Sequence, residues 1–157
     1  MSNLHASEVN PTKDDYFDKY IDLRAKVFLY INQDFGPSKK MNPDGTPNEL
    51  YWIYEKIRNR IDDAMADMVM NIVQARTIWI TSLYDYNERR RYINKAIGDS
   101  QAVIQEIQFA IRTLNVKTGK YLNLIEDFEI QIKALRNWRT ADNTIKNRLM
   151  KDKGLSL

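Results

Sequence analysis

Apolar residues recur at three- and four-residue intervals along most of the chain, which is the spacing of one face of an α-helix. The first stripe predicts a helix that Thr12 or Asp14 caps and that ends near Asp34. The second stripe is longer and predicts a helix from a cap at Asn48 to about Leu83. The apolar members of these stripes are Tyr16, Tyr20, Leu23, Val27 and Ile31, then Leu50, Ile53 or Tyr54, Ile57, Ile61, Ala64 or Met65, Met68, Ile72, Ala75 and Trp79.

Two further helices are predicted in the second half of the chain. Residues 84–87 interrupt the apolar spacing, so Asn87 is the expected cap of the third helix. Thr118 is the expected cap of the fourth helix, whose stripe ends at Trp138. The apolar members are Tyr92 or Ile93, Ala96 or Ile97, Ile104, Ile107, Ile111 and Leu114, then Tyr121, Leu124 or Ile125, Phe128, Ile132, Leu135 and Trp138.

The connections between the helices indicate how they pack. All four prolines lie at or before Pro47, and residues 36–47 are predicted to form a loop with a Pro-Asp-Gly turn. Short links follow the second and third helices, so consecutive helices must run antiparallel. We therefore expect an all-α fold, an up-down-up-down antiparallel four-helix bundle over residues 13–140. Residues 1–12 are expected to form a flexible arm and residues 141–157 a basic tail.

The composition excludes most kinds of catalytic centre. The 157 residues contain no cysteine and a single histidine, His5. Disulfide scaffolds, thiolate metal sites, cysteine nucleophiles and clustered-histidine metal sites are thereby excluded. The sequence also shows no glycine-rich phosphate loop and no nucleophile–base pair, so we expect no catalytic residue, metal or cofactor. Without a long apolar run or a signal-peptide pattern, a soluble cytoplasmic protein is expected.

The formal net charge of +3 is unevenly distributed. Residues 1–48 carry a net charge of −1 and residues 49–87 carry −2, whereas residues 88–114 carry +2 and residues 115–157 carry +4. The basic surplus in the second half indicates a polyanionic partner.

An arginine triplet, residues 89–91, lies at the expected start of the third helix, where cations oppose the helix dipole. One interpretation is a phosphate-binding cluster that Lys95 joins one turn later. The other is a solvated helix start in which the arginines pair with Asp85 or Glu88.

A second basic cluster follows in the fourth helix and beyond it. An antiparallel bundle places the end of this helix beside the start of the third, so the two clusters are expected to meet on one end of the molecule. Trp138 lies among these cations, either as the last apolar contact of its helix or as a base-stacking or interface residue. The predicted nucleic-acid-binding residues are Arg89, Arg90, Arg91, Lys95, Lys120, Lys133, Arg136, Arg139, Lys146 and Arg148, and Lys151 and Lys153 extend the cluster.

With these residues the sequence resembles the Avd-type four-helix-bundle proteins, the accessory variability determinants of diversity-generating retroelements. Those proteins are related to bundle proteins encoded in intervening sequences of ribosomal RNA genes. The resemblance covers about residues 16–143. It rests on Ile57-Arg-Asn-Arg-Ile61, Arg91-Tyr92 followed by Ala96, Lys120-Tyr121, and Ile132-Lys-Ala-Leu-Arg-Asn-Trp-Arg-Thr-Ala-Asp-Asn143.

The resemblance implies a non-enzymatic protein that forms a positively charged homopentameric barrel. It further implies binding to RNA, DNA or an RNA–DNA hybrid, and partnership with the retroelement's reverse transcriptase in mutagenic cDNA synthesis. The alternative is a structural or interaction bundle of a phage or mobile element with no specific nucleic-acid role. Apolar side chains that lie off the main stripes also favour an oligomer: Tyr30, Trp52, Ile80 and Phe109.

Overall fold

The computed structural model describes residues 11–154, with side chains from residue 18 onward. Residues 11–154 form four α-helices and a short 3₁₀ helix, and they contain no strand beyond an isolated bridge between Met41 and Pro47. The helices are α1 (Pro11–Phe35), α2 (Tyr51–Thr77), α3 (Leu83–Thr113) and α4 (Thr118–Asp152), and the 3₁₀ helix is Pro37–Lys40. The predicted all-α fold with four helices is confirmed.

Side-chain pairs between neighbouring helices show that they run antiparallel. Near one end of the α1–α4 contact, the Tyr20 hydroxyl donates to the Gln131 carbonyl oxygen at 2.8 Å. Near the other end, the Lys120 ammonium lies 3.0 Å from the Asp34 carboxylate, so numbers rise along α1 as they fall along α4. Equivalent antiparallel pairs join α2 to α3 and α3 to α4: Asn71 with Asp99, Arg60 with Glu106, Arg89 with Asp142, and Arg139 with Asn94. Each helix therefore packs on two neighbours, as in an up-down-up-down four-helix bundle.

The apolar stripes of the four helices meet in one core. Three aromatic rings pack together at the C-terminal end of α1. The Phe35 ring lies 5.8 Å from the Tyr121 ring and 6.1 Å from the Tyr54 ring. The fully buried members of the predicted stripes include Tyr20, Val27, Ile31, Ile61, Met65, Met68, Ile93, Ile107, Leu124 and Phe128.

The link between α2 and α3 differs from the prediction. α2 ends at Thr77 rather than near Leu83, because residues 77–81 are β-branched or aromatic and have low helix propensity. Trp79, predicted to continue the core stripe, is instead 82% exposed.

The cap of α3 is Ser82, so the predicted cap at Asn87 is wrong. The Ser82 hydroxyl oxygen accepts the Asp85 backbone N–H at 3.2 Å. The Asp85 carboxylate in turn accepts the Thr81 hydroxyl at 2.7 Å. With these capping hydrogen bonds the helix begins at Leu83, five residues before the expected start at Glu88.

The first helix also begins, and the last helix ends, at a residue other than the one predicted. α1 begins at Pro11, a residue type suited to the first helical turn. α4 does not stop near Trp138 but continues through residues 141–152, which were expected to form a tail. No glycine or proline interrupts α4 after Gly119, and Gly154 follows its end with a positive φ of 66°. The remaining parts of the expected arm and tail, residues 1–10 and 155–157, lie outside the described residues.

Several large apolar side chains remain exposed on the single chain. Three of them, Ile21, Phe28 and Leu29, share one face of α1. Of the four residues expected off the main stripes, Trp52 and Phe109 are exposed, whereas Tyr30 and Ile80 are partly buried.

Asp99 gives the bundle a pH-dependent contact between α2 and α3. The Asn71 amide donates to its carboxylate at 2.7 Å. Burial is the main cause that raises the pKa of Asp99 above its usual value, and the nearby Asp67 adds to it. Folding therefore disfavours the charged form, and this destabilisation is present at neutral pH and absent below the unfolded-state pKa.

We predict that Asp99→Asn raises the melting temperature at pH 7, because the amide carries no charge to desolvate. The gain should shrink as the pH falls and disappear below about pH 3.9, the ordinary pKa of an aspartate. Thermal melts of the wild type and the variant across this range measure the difference. A gain of equal size at every pH would show that ionisation of Asp99 is not its cause.

Candidate nucleic-acid interface

Predicted cations of α3 and α4 come together where the start of α3 packs against the end of α4. The Arg139 guanidinium donates to the Asn94 side chain of α3 at 2.8 Å. The Arg90 guanidinium donates to the Asn143 side chain of α4 at 3.3 Å. These contacts place the basic residues of the two helices side by side. We call this the basic surface, formed by Arg90, Arg91, Lys95, Arg139 and Lys146.

Arg91 and Lys95 form the exposed part of the basic surface on α3. The Arg91 guanidinium pairs with Glu88 one turn earlier at 2.8 Å, as one interpretation of the triplet expected. This hydrogen bond raises the pKa of Arg91 further above its usual value. Both cations also lie over the Tyr92 ring, at 4.6 Å for Arg91 and 5.6 Å for Lys95. The tyrosine therefore holds two cations at a fixed place on the helix surface.

Three more predicted cations extend this charge along α4. Lys133, Arg136 and Arg148 are exposed, and none of the ion pairs among residues 18–154 includes them. Their charges face solvent, so counterions or a polyanion can neutralise them.

Arg89 does not belong to the basic surface, which corrects the prediction for this residue. Its side chain is buried and bonds Asp142 through two nitrogens, at 2.8 Å for Nε and 2.5 Å for Nη2. Its Nη1 donates to the Ile78 carbonyl oxygen at 3.0 Å, and its guanidinium lies 5.2 Å from the Trp138 ring. Arg89 thus joins α3 to α4 and to the end of α2, a role that neither interpretation of the triplet contained.

Because α3 begins earlier than expected, the arginine triplet is no longer at the helix start, where cations would oppose the helix dipole. Residues 89–91 lie in the second and third turns of α3, past the free backbone N–H groups of its first turn. Alanine at all three positions would therefore not stabilise the bundle. The loss of Arg89 would leave the Asp142 charge buried and would destabilise the bundle instead.

Lys120 is held far from the basic surface, at the opposite end of α4. Its ammonium lies 3.0 Å from Asp34 and 4.1 Å from the centre of the Tyr30 ring. At 1.5 Å per residue, Lys120 is about 29 Å from Arg139 along the helix. Lys120 was predicted to bind nucleic acid with the other cations, but the structure separates it from them and pairs it with α1.

The aromatic side chains near the basic surface differ in their exposure, and only Trp79 contradicts its prediction. Trp138 is only 8% exposed, which supports its interpretation as an apolar contact of α4. Trp79 and Tyr84, at the link between α2 and α3, are 82% and 72% exposed. The apolar periodicity predicted Trp79 in the core. The Ser82 and Asp85 capping pair is the signal that could have placed Trp79 in the link before α3 and therefore outside the core.

Comparisons with known proteins add no assignment. No protein-family model matches the chain, and neither the curated proteins nor the solved structures give a match. Within the described residues, no three or more histidine, cysteine, aspartate or glutamate side chains are grouped to hold a metal ion. The described helices include none with the length and hydropathy needed to cross a membrane.

We predict that Arg89→Ala lowers the free energy of unfolding by about 3–5 kcal/mol, the usual effect of removing one partner of a buried ion pair. Asp142→Asn should act in the same direction. Replacing both residues with apolar ones, as in Arg89→Met with Asp142→Leu, should recover much of the loss. Urea unfolding followed by circular dichroism measures all three variants.

The matched control for this prediction is Arg91→Ala, two residues away, whose pair with Glu88 is exposed. Its urea midpoint should equal that of the wild type. If Arg89→Ala unfolded at the same midpoint as this control, the buried pair would not stabilise the bundle.

Proposed function

We propose that this protein is a non-enzymatic nucleic-acid-binding accessory that partners a reverse transcriptase in the mutagenic cDNA synthesis of a diversity-generating retroelement. The observation that carries the nucleic-acid part is the basic surface, where five cations of α3 and α4 lie side by side. Lys133, Arg136 and Arg148 add charge along α4. Clustered, solvent-exposed cations on one face are the usual electrostatic footprint of a phosphate-backbone binder.

Exposed aromatic residues at the same end of the molecule favour contact with nucleic acid as well. Trp79, in the link before α3, and Tyr84, in the first turn of α3, lie at the end of the bundle that carries the basic surface. Every nucleic-acid base has a flat face that can stack on such a ring. Cations with neighbouring aromatics therefore suit a strand that has unpaired bases.

The reverse-transcriptase partner and the retroelement are proposed from the family resemblance alone. Several residues that carry the resemblance make contacts within the bundle, such as the Tyr121 hydroxyl, which donates to Asp34 at 2.6 Å. The resemblance therefore supports a shared fold first, and the shared role is proposed from it by analogy. A reverse-transcriptase gene beside this one would be the simplest independent support.

The second candidate function is that of a structural or interaction bundle of a phage or mobile element. The exposed apolar face of α1, with Ile21, Phe28 and Leu29, favours it, since such faces usually mark protein contacts. Direct measurement of nucleic-acid binding separates the two candidates.

We predict salt-dependent, sequence-tolerant binding to structured RNA or an RNA–DNA hybrid. The logarithm of the affinity should fall linearly with the logarithm of salt concentration, by about 0.7–0.9 per phosphate neutralised. Arg91→Ala with Lys95→Ala should weaken binding and reduce this slope, while the melting temperature stays unchanged. Filter binding between about 50 and 300 mM salt provides the measurement.

The matched control is Arg112→Ala with Lys117→Ala, which removes the same charge from exposed residues at the opposite end of α3 and α4. It should bind nearly as tightly as the wild type. Equal losses in the two double variants would mean that total charge, rather than the basic surface, determines binding. Affinity that ignores salt would rule out the electrostatic mechanism altogether.

We also propose that the chain assembles into a homo-oligomer, with a pentamer as the form that the resemblance implies. Phe28→Glu should reduce the mass measured by light scattering at micromolar concentration, because a charge on the apolar face of α1 opposes its burial. Phe109→Glu, at another exposed apolar position on α3, is the comparison that identifies which face is used. A monomeric wild type would contradict the assembly.

A further inference from the structure

The basic surface contains an open cleft between the start of α3 and the end of α4. Its volume is about 540 Å³, large enough to admit a phosphate group together with part of the molecule that carries it. We call it the asparagine cleft. Its lining residues are Tyr86, Asn87 and Arg90 from α3, and Asn143, Lys146 and Asn147 from α4. Two are cations, three are amides, one is a phenol, and none is acidic.

A hydrogen-bonded group fixes the floor of the asparagine cleft. Arg90 Nη1 donates to the Tyr86 hydroxyl at 2.8 Å and to Asn143 Oδ1 at 3.3 Å. The Tyr86 hydroxyl donates to the same Asn143 oxygen. Because that oxygen already accepts two hydrogen bonds, Asn143 offers its Nδ2 donors to anything else that binds. Arg90 likewise uses only one of its three nitrogens in the hydrogen bonds among the described residues.

The two cations of the cleft share one tyrosine and have no acidic partner there. The Arg90 guanidinium lies 6.0 Å from the centre of the Tyr86 ring, and the Lys146 ammonium lies 4.9 Å from it. Like charges held near one ring repel each other, and the attraction of each cation to a bound anion would offset that repulsion.

The acidic residues of the adjoining helical turns are bound to other groups. Glu88 pairs with Arg91, and Asp142 pairs with the buried Arg89. Asp85 accepts hydrogen bonds from Thr81. No carboxylate on these turns is therefore available to neutralise the cleft.

We propose that the asparagine cleft binds a phosphate group of a nucleic acid. A phosphate presents several acceptor oxygens, which match the fork of Arg90, the point charge of Lys146 and the amide donors of the asparagines. The assignment of this phosphate to a nucleic acid rests on the proposed function. The binding of phosphate itself rests only on the geometry of the cleft.

The first experiment tests phosphate binding without nucleic acid. Inorganic phosphate is titrated into ¹⁵N-labelled protein, with sodium chloride of equal ionic strength as the reference. The side-chain amide signals of Asn87, Asn143 and Asn147 should shift and saturate with phosphate but not with chloride. Lys146→Gln should weaken this response, and Lys133→Gln, an exposed lysine of the same helix outside the cleft, should not. Shifts that are absent, or that are equal in Lys146→Gln and the wild type, would overturn the proposal.

The second experiment uses RNA–DNA hybrids in a filter-binding assay. Lys146→Gln should lower the affinity about tenfold, the effect of losing one charge-assisted hydrogen bond, and Lys133→Gln about twofold or less. In Lys146→Gln the slope of log affinity against log salt should become shallower by about 0.7–0.9, the contribution of one neutralised phosphate. Equal losses in the two variants would overturn a special role for the cleft and leave the proposed function standing.

The same assay distinguishes the two sources of phosphate. Hybrids with a 5′-phosphate and with a 5′-hydroxyl, otherwise identical, are compared. Tighter binding of the phosphorylated form would assign the cleft to a strand end, and equal binding would assign it to an internal phosphodiester. If inorganic phosphate bound in the cleft but no hybrid bound at all, the phosphate site would stand and the proposed function would fail.

Discussion

The buried ion pair between Arg89 and Asp142 is the contact on which the arrangement at this end of the bundle depends. Two charged groups without water are tolerated only when their hydrogen bonds are nearly complete. Here the carboxylate accepts hydrogen bonds from two nitrogens of the guanidinium, and the third nitrogen donates to the Ile78 carbonyl oxygen at the end of α2. The pair therefore favours the observed register of α3 on α4, and in that register Arg90 and Lys146 line the same cleft.

The core and the number of helices could be predicted from the sequence because burial of apolar area dominates both. The stripe through Ile57, Ile61 and Met65 needs no knowledge of the partner helices, only of the 3.6-residue period. The ends of the helices could not be predicted as well. Ser82 and Asn87 are equally good caps in isolation, and the hydrogen bonds made by Asp85 decide for the first.

The candidate site was harder to predict, because nothing in the triplet itself distinguishes Arg89 from Arg90. A signal was nevertheless present. Arg89 falls four residues before the buried Ile93, and Asp142 four residues after the buried Trp138, so both charges lie on apolar stripes. Opposite charges on the core faces of neighbouring helices indicate a buried pair. The asparagine cleft had no such signal, since it exists only because α4 continues past residue 140.

Several residues on which the family resemblance rests make contacts within the bundle, and these contacts limit what the resemblance says about function. The Tyr121 hydroxyl donates a hydrogen bond to Asp34 of α1. The Trp138 ring packs against the Arg89 guanidinium, and Asp142 neutralises that arginine. These contacts hold the four helices together whatever the bundle binds. Information about a nucleic-acid ligand must therefore come from side chains that the bundle does not need. Lys146 is such a residue, because its ammonium contacts the Tyr86 ring but makes none of the hydrogen bonds or ion pairs among the described residues, so no carboxylate neutralises its charge.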